Sequence, residues 1–401
     1  MPRPDARELT LEAYQPASAA PARPAAADQA ASARRFEFTG TGAEYFRIWV
    51  VNLLLTVATC GVYSAWAKVR RLQYFYRNTR LAGAIFDYHG DPKAILKGRV
   101  LALGLLLAYK IASDLSTAAS LLIGAILVAA LPWMLARSLR FKLINSSYRG
   151  LRFRFGGSVA GAYKNLSLVP VMLAVVGFFG WSVVTSFSKT PSLGLVLLLV
   201  GLLLLVLAVV PLAHFLLKRY QHDNAYFGQT PFFFHAGAKP FFILYGVAIL
   251  FLVLGVSSAQ AFDKLFAHAF QALGATSFGW LFKQIYTVLS AYALYLFARP
   301  YMESRLQNLV WNESELGMNR FDSRASARRL LWLHLSNLTL IMLTLGLYKP
   351  FATVSLLKYR IESVAVLSDG DLEQFLVDHA GDNAGALGQE AGDLFDLDIA
   401  L

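Results

Sequence analysis

At 401 residues, 56% of them hydrophobic and only 15% charged, with mean hydropathy +0.49, the chain carries more apolar surface than a soluble domain of its length needs. Its net charge of +12 favours anionic lipid surfaces or anionic solutes as neighbours. The basic residues sit in short segments between apolar runs, which argues for the bilayer and against nucleic acid as partner. A single cysteine, Cys60, excludes an intrachain disulfide framework and any multi-cysteine metal site.

The first 35 residues are Ala- and Pro-rich with scattered Arg, which reads as a disordered tail and not as a secretory signal. Phe36 to Gly40 then looks like one half of a β-hairpin without its other half. Ala43 to Ala58 is apolar with Asn52 and Thr56 inside it, and a helix there is expected to break at Thr59-Cys60-Gly61. Tyr63 to Arg77 interleaves Trp66, Arg70, Arg71, Tyr74 and Arg77, a mixture suited to the membrane interface. Asn78 to Gly90 alternates around Ala82-Gly83 and predicts a two-stranded hairpin, and Asp91-Pro92 predicts the start of the next helix.

The same hairpin signal recurs at Asn145–Gly156, Asn224–Gly237 and Asn312–Ser323, which predicts an internal repeat with Gly83, Gly150, Gly228 and Gly317 as turn formers. Between the hairpins, apolar runs come in pairs and are predicted as bilayer spans. They are Ile95–Asp114 with Thr117–Ala136, Leu166–Phe187 with Leu193–Leu217, and Pro240–Ser258 with Ser277–Ala298. A last run, Leu330–Leu345, copies the first short element. Asn337 lies nine residues before Gly346 as Asn52 lies nine before Gly61, and Tyr348 and Tyr359 match Tyr63 and Tyr74. Ile361 to Leu367 is strand-like, and residues 368–401 form an acidic tail without Lys or Arg.

Charge sets the expected topology. The hairpin-bearing connections are rich in Lys and Arg, whereas those inside the pairs hold only Lys110, Lys189 and Lys264, so the hairpins should face the cytoplasm. As a helix, Ala43–Ala58 is about 24 Å long, short of a hydrocarbon core about 30 Å thick. It and Leu330–Leu345 are therefore expected to dip in and return, keeping both termini cytoplasmic. Phe36–Gly40 and Ile361–Leu367 can then pair as a fifth hairpin, closing a ring and hiding free strand edges. The expected fold is an α-helical polytopic membrane protein with cytoplasmic β-hairpins, built of about five repeated units.

The stretches Phe36–Gly40, Tyr45–Asn52, Thr59–Arg70, Asn78–Gly90 and the ending Asp393-Leu-Phe-Asp-Leu-Asp398 together resemble the YjgN family of bacterial inner-membrane proteins. The similarity runs from about Phe36 to Leu401. It implies a multi-pass plasma-membrane protein of a Gram-negative bacterium, and it implies no activity.

The chemistry-bearing motifs are few. No GxxxxGK[ST], GxSxG or HExxH occurs, so neither an enzyme nor a cofactor or metal site is expected. His89 and His235 take comparable places in two hairpins, where a pH-sensing or metal role competes with a plain polar strand position. Asn52, Thr56 and Asn337 are candidates for a polar path; the competing reading is helix-to-helix hydrogen bonding, which an amide in an apolar helix also needs. Trp66, Arg70, Arg71, Tyr74, Arg77, Arg149, Arg152 and Arg154 are candidate contacts for anionic phospholipid or another anion, against simple topology determination. The acidic tail, with Leu394, Phe395, Leu397 and Ile399 inside it, is expected either to dock on the basic hairpins or to remain solvated. The leading functional reading is a channel or carrier with its path at the repeat axis. The alternative is a non-transporting platform that binds anionic lipid or a protein partner through its basic face. Leu193–Leu217, apolar throughout save His214, weighs against a polar path along that helix.

Overall fold

The computed structural model describes residues 33–186, 192–272 and 276–368. The first 32 residues and the acidic tail, with its expected docking, lie outside them.

Four hairpins each join a three-residue strand to a five-residue strand. They are β2 (Thr79–Leu81) with β3 (Ala84–Tyr88), β4 (Ser146–Tyr148) with β5 (Leu151–Phe155), β6 (Ala225–Phe227) with β7 (Thr230–Phe234), and β8 (Ser314–Leu316) with β9 (Asn319–Ser323). In the first turn Ala82 and Gly83 both have positive φ (47° and 77°), and in the second so do Arg149 and Gly150 (50° and 80°). Two positive φ values in a two-residue loop match the right-handed twist of the strands it joins. In the other two turns the glycine comes first, Gly228 and Gly317.

A fifth pair comes from the chain ends. β1 (Ala33–Phe38) lies antiparallel to β10 (Val364–Ser368), with Ala33 opposite Leu367. β1 also pairs with β2, Phe38 opposite Thr79, and the ten strands close into an antiparallel barrel in the order β1-β10-β9-β8-β7-β6-β5-β4-β3-β2. Closure removes every free edge. The strand bounds differ slightly from the expected ones. β1 starts at Ala33 and ends at Phe38, because Thr41 is already the N-cap of the next helix. β10 starts at Val364 because Ile361 and Glu362 complete a helix.

Each helical excursion leaves the barrel and returns to a strand beside the one it left. Phe38 faces Thr79, Tyr88 faces Ser146, Phe155 faces Ala225, Phe234 faces Ser314 and Ser323 faces Val364. The excursions are α1 (Gly42–Ala58) with α2 (Ser64–Arg77); α3 (Pro92–Leu115) with α4 (Thr117–Ile144); α5 (Val159–Leu166) and α6 (Leu168–Ser186) with α7 (Leu193–Asp223); α8 (Lys239–Ala272) with α9 (Thr276–Asn312); and α10 (Ala327–Leu343) with α11 (Lys349–Glu362). The local sequence explains their ends. Thr41 and Glu44 form a capping box on α1, and the Asp91 carboxylate accepts from the Lys93 amide with Pro92 in the first turn of α3. At the return, Asn78, Asn145 and Asn224 each donate a side-chain N–H to the carbonyl four residues back, at 2.8, 2.8 and 2.9 Å, closing α2, α4 and α7. Neighbouring helices touch all round the ring, α11 against α1 included.

Among the described residues three helices are long and apolar enough to cross a membrane: Thr117–Ile144, Leu193–Asp223 and Lys239–Ser258. A fourth is added if Val159–Leu166 and Leu168–Gly180, bent by 48°, are one span. That bend was not foreseen. Ser158 caps α5, and Ala162 and Leu166 pack against Tyr220, which holds the short helix on the barrel before the chain turns outward. The apolar faces of the long helices are uncovered, with Leu197, Leu203 and Leu204 all exposed.

The barrel lumen is a core, not a pore. Inward positions alternate with charged outward ones along the strands, so Phe36, Leu81, Phe86, Tyr148, Phe153 and Phe227 meet inside while Arg80, Asp87, Arg152 and Arg154 face outward. Eight strands already leave room only for ordinary side chains; ten leave a wider lumen, and aromatic rings fill it. A cavity of about 140 Å³ remains, its surface apolar although Asn319 stands among the aromatic and aliphatic residues that line it.

Candidate functional site

The first helical hairpin gathers several of the residues singled out from sequence. α1 and α2 come together through Tyr45, which stacks on Tyr74 at 5.4 Å between ring centres. The Tyr74 hydroxyl donates to the Thr41 carbonyl at 2.8 Å and lies 3.3 Å from Glu44 Oε2. Burial, followed by the Glu44 charge, pushes that hydroxyl up to about 12, so it remains a donor. Beside this joint runs a groove of about 530 Å³ lined by Arg47, Ile48, Val51, Arg70, Tyr74 and Arg77, among others. Arg77 closes one end by an ion pair from its Nε to Asp87 Oδ1 at 2.8 Å. Towards the hairpin tip the surface is apolar, with Leu54, Val57 and Val62 exposed. Trp66 stacks on Tyr63 and packs against the cluster around Ala65 and Val69.

Arg71 is only half-buried and acts electrostatically on Tyr45. Arg149, Arg152 and Arg154 belong to the second hairpin. Arg149 donates to the Ala82 carbonyl at 3.2 Å, and the Arg154 guanidinium lies 5.0 Å from the centre of the Tyr226 ring. Arg152 faces Ser147, which in turn faces Asp87, the partner of Arg77, in one outer row of the barrel. Of the sequence candidates, Arg70, Tyr74 and Arg77 share the groove and Arg149, Arg152 and Arg154 lie on the second hairpin, whereas Trp66 and Arg71 belong to neither.

Asn52 and Asn337 sit inside their own helical hairpins and line none of the described cavities. Asn52 Nδ2 reaches the Ala67 carbonyl at 3.5 Å, and Asn337 Nδ2 reaches the Ala352 carbonyl at 3.5 Å and Ser355 Oγ at 3.0 Å. Both carbonyls lie fifteen residues further on. Thr56 bonds the Asn52 carbonyl within its own helix at 2.6 Å. His89 and His235 are also equivalent: their Nε2 atoms meet Ser147 Oγ at 2.9 Å and Glu315 Oε2 at 3.0 Å, each on the next hairpin. Among the described residues no cluster of His, Cys, Asp or Glu is placed to hold a metal.

One feature escaped the sequence reading. Where α2, α4, α7 and α9 run into their strands, a chamber of about 220 Å³ lies on the axis, lined in part by Tyr76, Lys142, Lys218, His222 and Trp311. By sequence Lys218 is one of the many cations that follow the apolar runs. The signal that could have found it is its place six residues before Asn224, an offset that puts it on the inner helix face as Gln307 is before Glu313.

A family model described as "Bacterial protein of unknown function (DUF898)" matches residues 33–394. The chain belongs to this family. Inner membrane protein YjgN of Salmonella typhimurium is 27% identical over 354 residues, covering 83% of this chain and 88% of that one. YjgN proteins of Escherichia coli O157:H7 and strain K12 are 34% and 33% identical over 146 residues, 35% of each chain. The resemblance to the YjgN family read from sequence therefore holds, and the relatives' naming as inner membrane proteins agrees with the exposed apolar helices of a membrane protein. No solved structure matches.

Proposed function

We propose that the protein is a non-conducting platform of the bacterial inner membrane, with barrel and both chain ends cytoplasmic, which binds anionic phospholipid headgroups through its basic face. The observation that carries this reading is the groove where Arg47, Arg70 and Arg77 gather at the base of a helical hairpin with an exposed apolar tip. At about 26 Å, α1 is shorter than the hydrocarbon core, so its tip stays inside the bilayer while the arginines sit at headgroup depth. The five excursions read as copies of one unit, and the excess of Lys and Arg on the barrel side supports the cytoplasmic placement. No chemical step is assigned to the platform; we read it as a binding protein and not an enzyme.

The test is binding of the full-length protein to nanodiscs or vesicles with and without phosphatidylglycerol or cardiolipin. Arg47→Gln with Arg70→Gln should weaken retention of anionic lipid several-fold while leaving zwitterionic lipid unaffected. Equal lipid profiles for wild type and variant would end the reading.

A channel or carrier is the second reading, favoured by the cationic chamber on the axis. Against it stands the aromatic filling of the lumen just beyond that chamber. Liposome flux of small ions and anions decides between them: the platform predicts no flux above protein-free vesicles.

A further inference from the structure

Lys218 is 4% exposed, yet among the described residues its ammonium makes no hydrogen bond and no ion pair. An ammonium carries three donors, and burying one without a partner is costly. Its charged neighbours worsen the cost, because they are Lys142 and Arg360, both of the same sign. No carboxylate lines the chamber. Glu303, which acts electrostatically on Arg360, is already engaged by Arg299 at 2.7 Å and His334 at 3.0 Å. The position is built for a negative charge that none of the described residues supplies.

The walls say what the rest of that ligand must be. Phe86, Phe153, Phe232 and Trp311 line both the chamber and the lumen cavity of about 140 Å³, so the two spaces adjoin at this aromatic quartet. One space offers cations and the other an apolar surface. Both are small beside the roughly 300–1,000 Å³ of ordinary ligand pockets, which limits the occupant to one short chain.

We propose that the axial chamber binds a single-chain anionic amphiphile, a carboxylate or phosphate monoester, with its head at Lys218 and its chain in the barrel lumen. This site is distinct from the arginine groove and stands whether or not that groove holds lipid.

The experiment uses the full chain in nanodiscs of zwitterionic phosphatidylcholine, titrated with decanoate, decyl phosphate, decanol and inorganic phosphate. At least one of the two anionic amphiphiles should raise Tm and bind at least tenfold more tightly than decanol and than inorganic phosphate. Lys218→Met should weaken that binding tenfold or more while the unliganded Tm stays level or rises, since an unpaired buried charge is gone; Lys218→Arg should retain binding. Decanol binding as tightly as decanoate and decyl phosphate, inorganic phosphate binding as tightly as either, or unchanged affinity in Lys218→Met would overturn the proposal. Should Lys218→Met not fold, the comparison of amphiphiles on the wild-type protein still decides.

Discussion

The Tyr148 hydroxyl donates to the Leu81 carbonyl at 2.7 Å, tying the second hairpin to the first inside the barrel. The same ring stacks on Phe86 with centres 4.5 Å apart, so one side chain serves both the hydrogen bonding and the packing of the lumen. Tyr148→Phe keeps the stack and leaves the carbonyl short of a donor, and it should cost about 1 kcal/mol. Tyr148→Ala also opens a void and should cost about 3–5 kcal/mol. Thermal unfolding in detergent, comparing the two variants, checks the order.

Turn geometry gives a prediction of opposite sign. Ala82 holds φ at 47°, where a Cβ is strained, and no other backbone requirement calls for alanine there. Ala82→Gly should stabilise the protein by about 0.5–1 kcal/mol, read as a higher Tm. A lower Tm would mean the hairpin turn differs from the one described.

The Arg77–Asp87 pair predicts a pH dependence. Burial works against ionisation of Asp87, but the hydrogen bonds from Arg77 and the Tyr88 amide, with the Arg77 charge, outweigh it and hold the carboxyl below its ordinary value. A depressed folded-state value contributes stability above the unfolded aspartate pKa of about 3.9, and that stability is lost as pH falls through the lower folded-state value. Wild type should therefore exceed Asp87→Asn by about 0.2–1 kcal/mol at neutral pH, and the gap should close below pH about 4. Unfolding midpoints across pH measure the difference.

The matched amides predict a structural and not a conducting role. Asn337→Leu removes the bonds to Ala352 and Ser355 and should cost about 1 kcal/mol. Lipid binding should be unchanged, which parallel melting and vesicle-binding measurements on this variant check.

Much of this architecture is legible before any coordinates. Asn and Gly at fixed places around two-residue turns announce the hairpins, because positive φ favours few residue types. The orphan strands at the two chain ends announce closure, because an unpaired edge needs a partner. What was not legible depends on partners remote in sequence. The bend at Ser167 follows from Ala162 and Leu166 packing on Tyr220. That Asn52 and Asn337 reach carbonyls fifteen residues on follows from how each helical hairpin folds back. Lys218 reads as one more cation at a helix end until four helices converge and bury it.

The ring itself is tested most directly at its seam. Arg34 lies opposite Val366, a spacing within reach of a disulfide. With Cys60→Ser as background, Arg34→Cys and Val366→Cys should cross-link within one chain in native membranes under mild oxidation, and the cross-link should raise Tm. Failure to cross-link in folded protein, or cross-links only between chains, would contradict a barrel closed by the two chain ends.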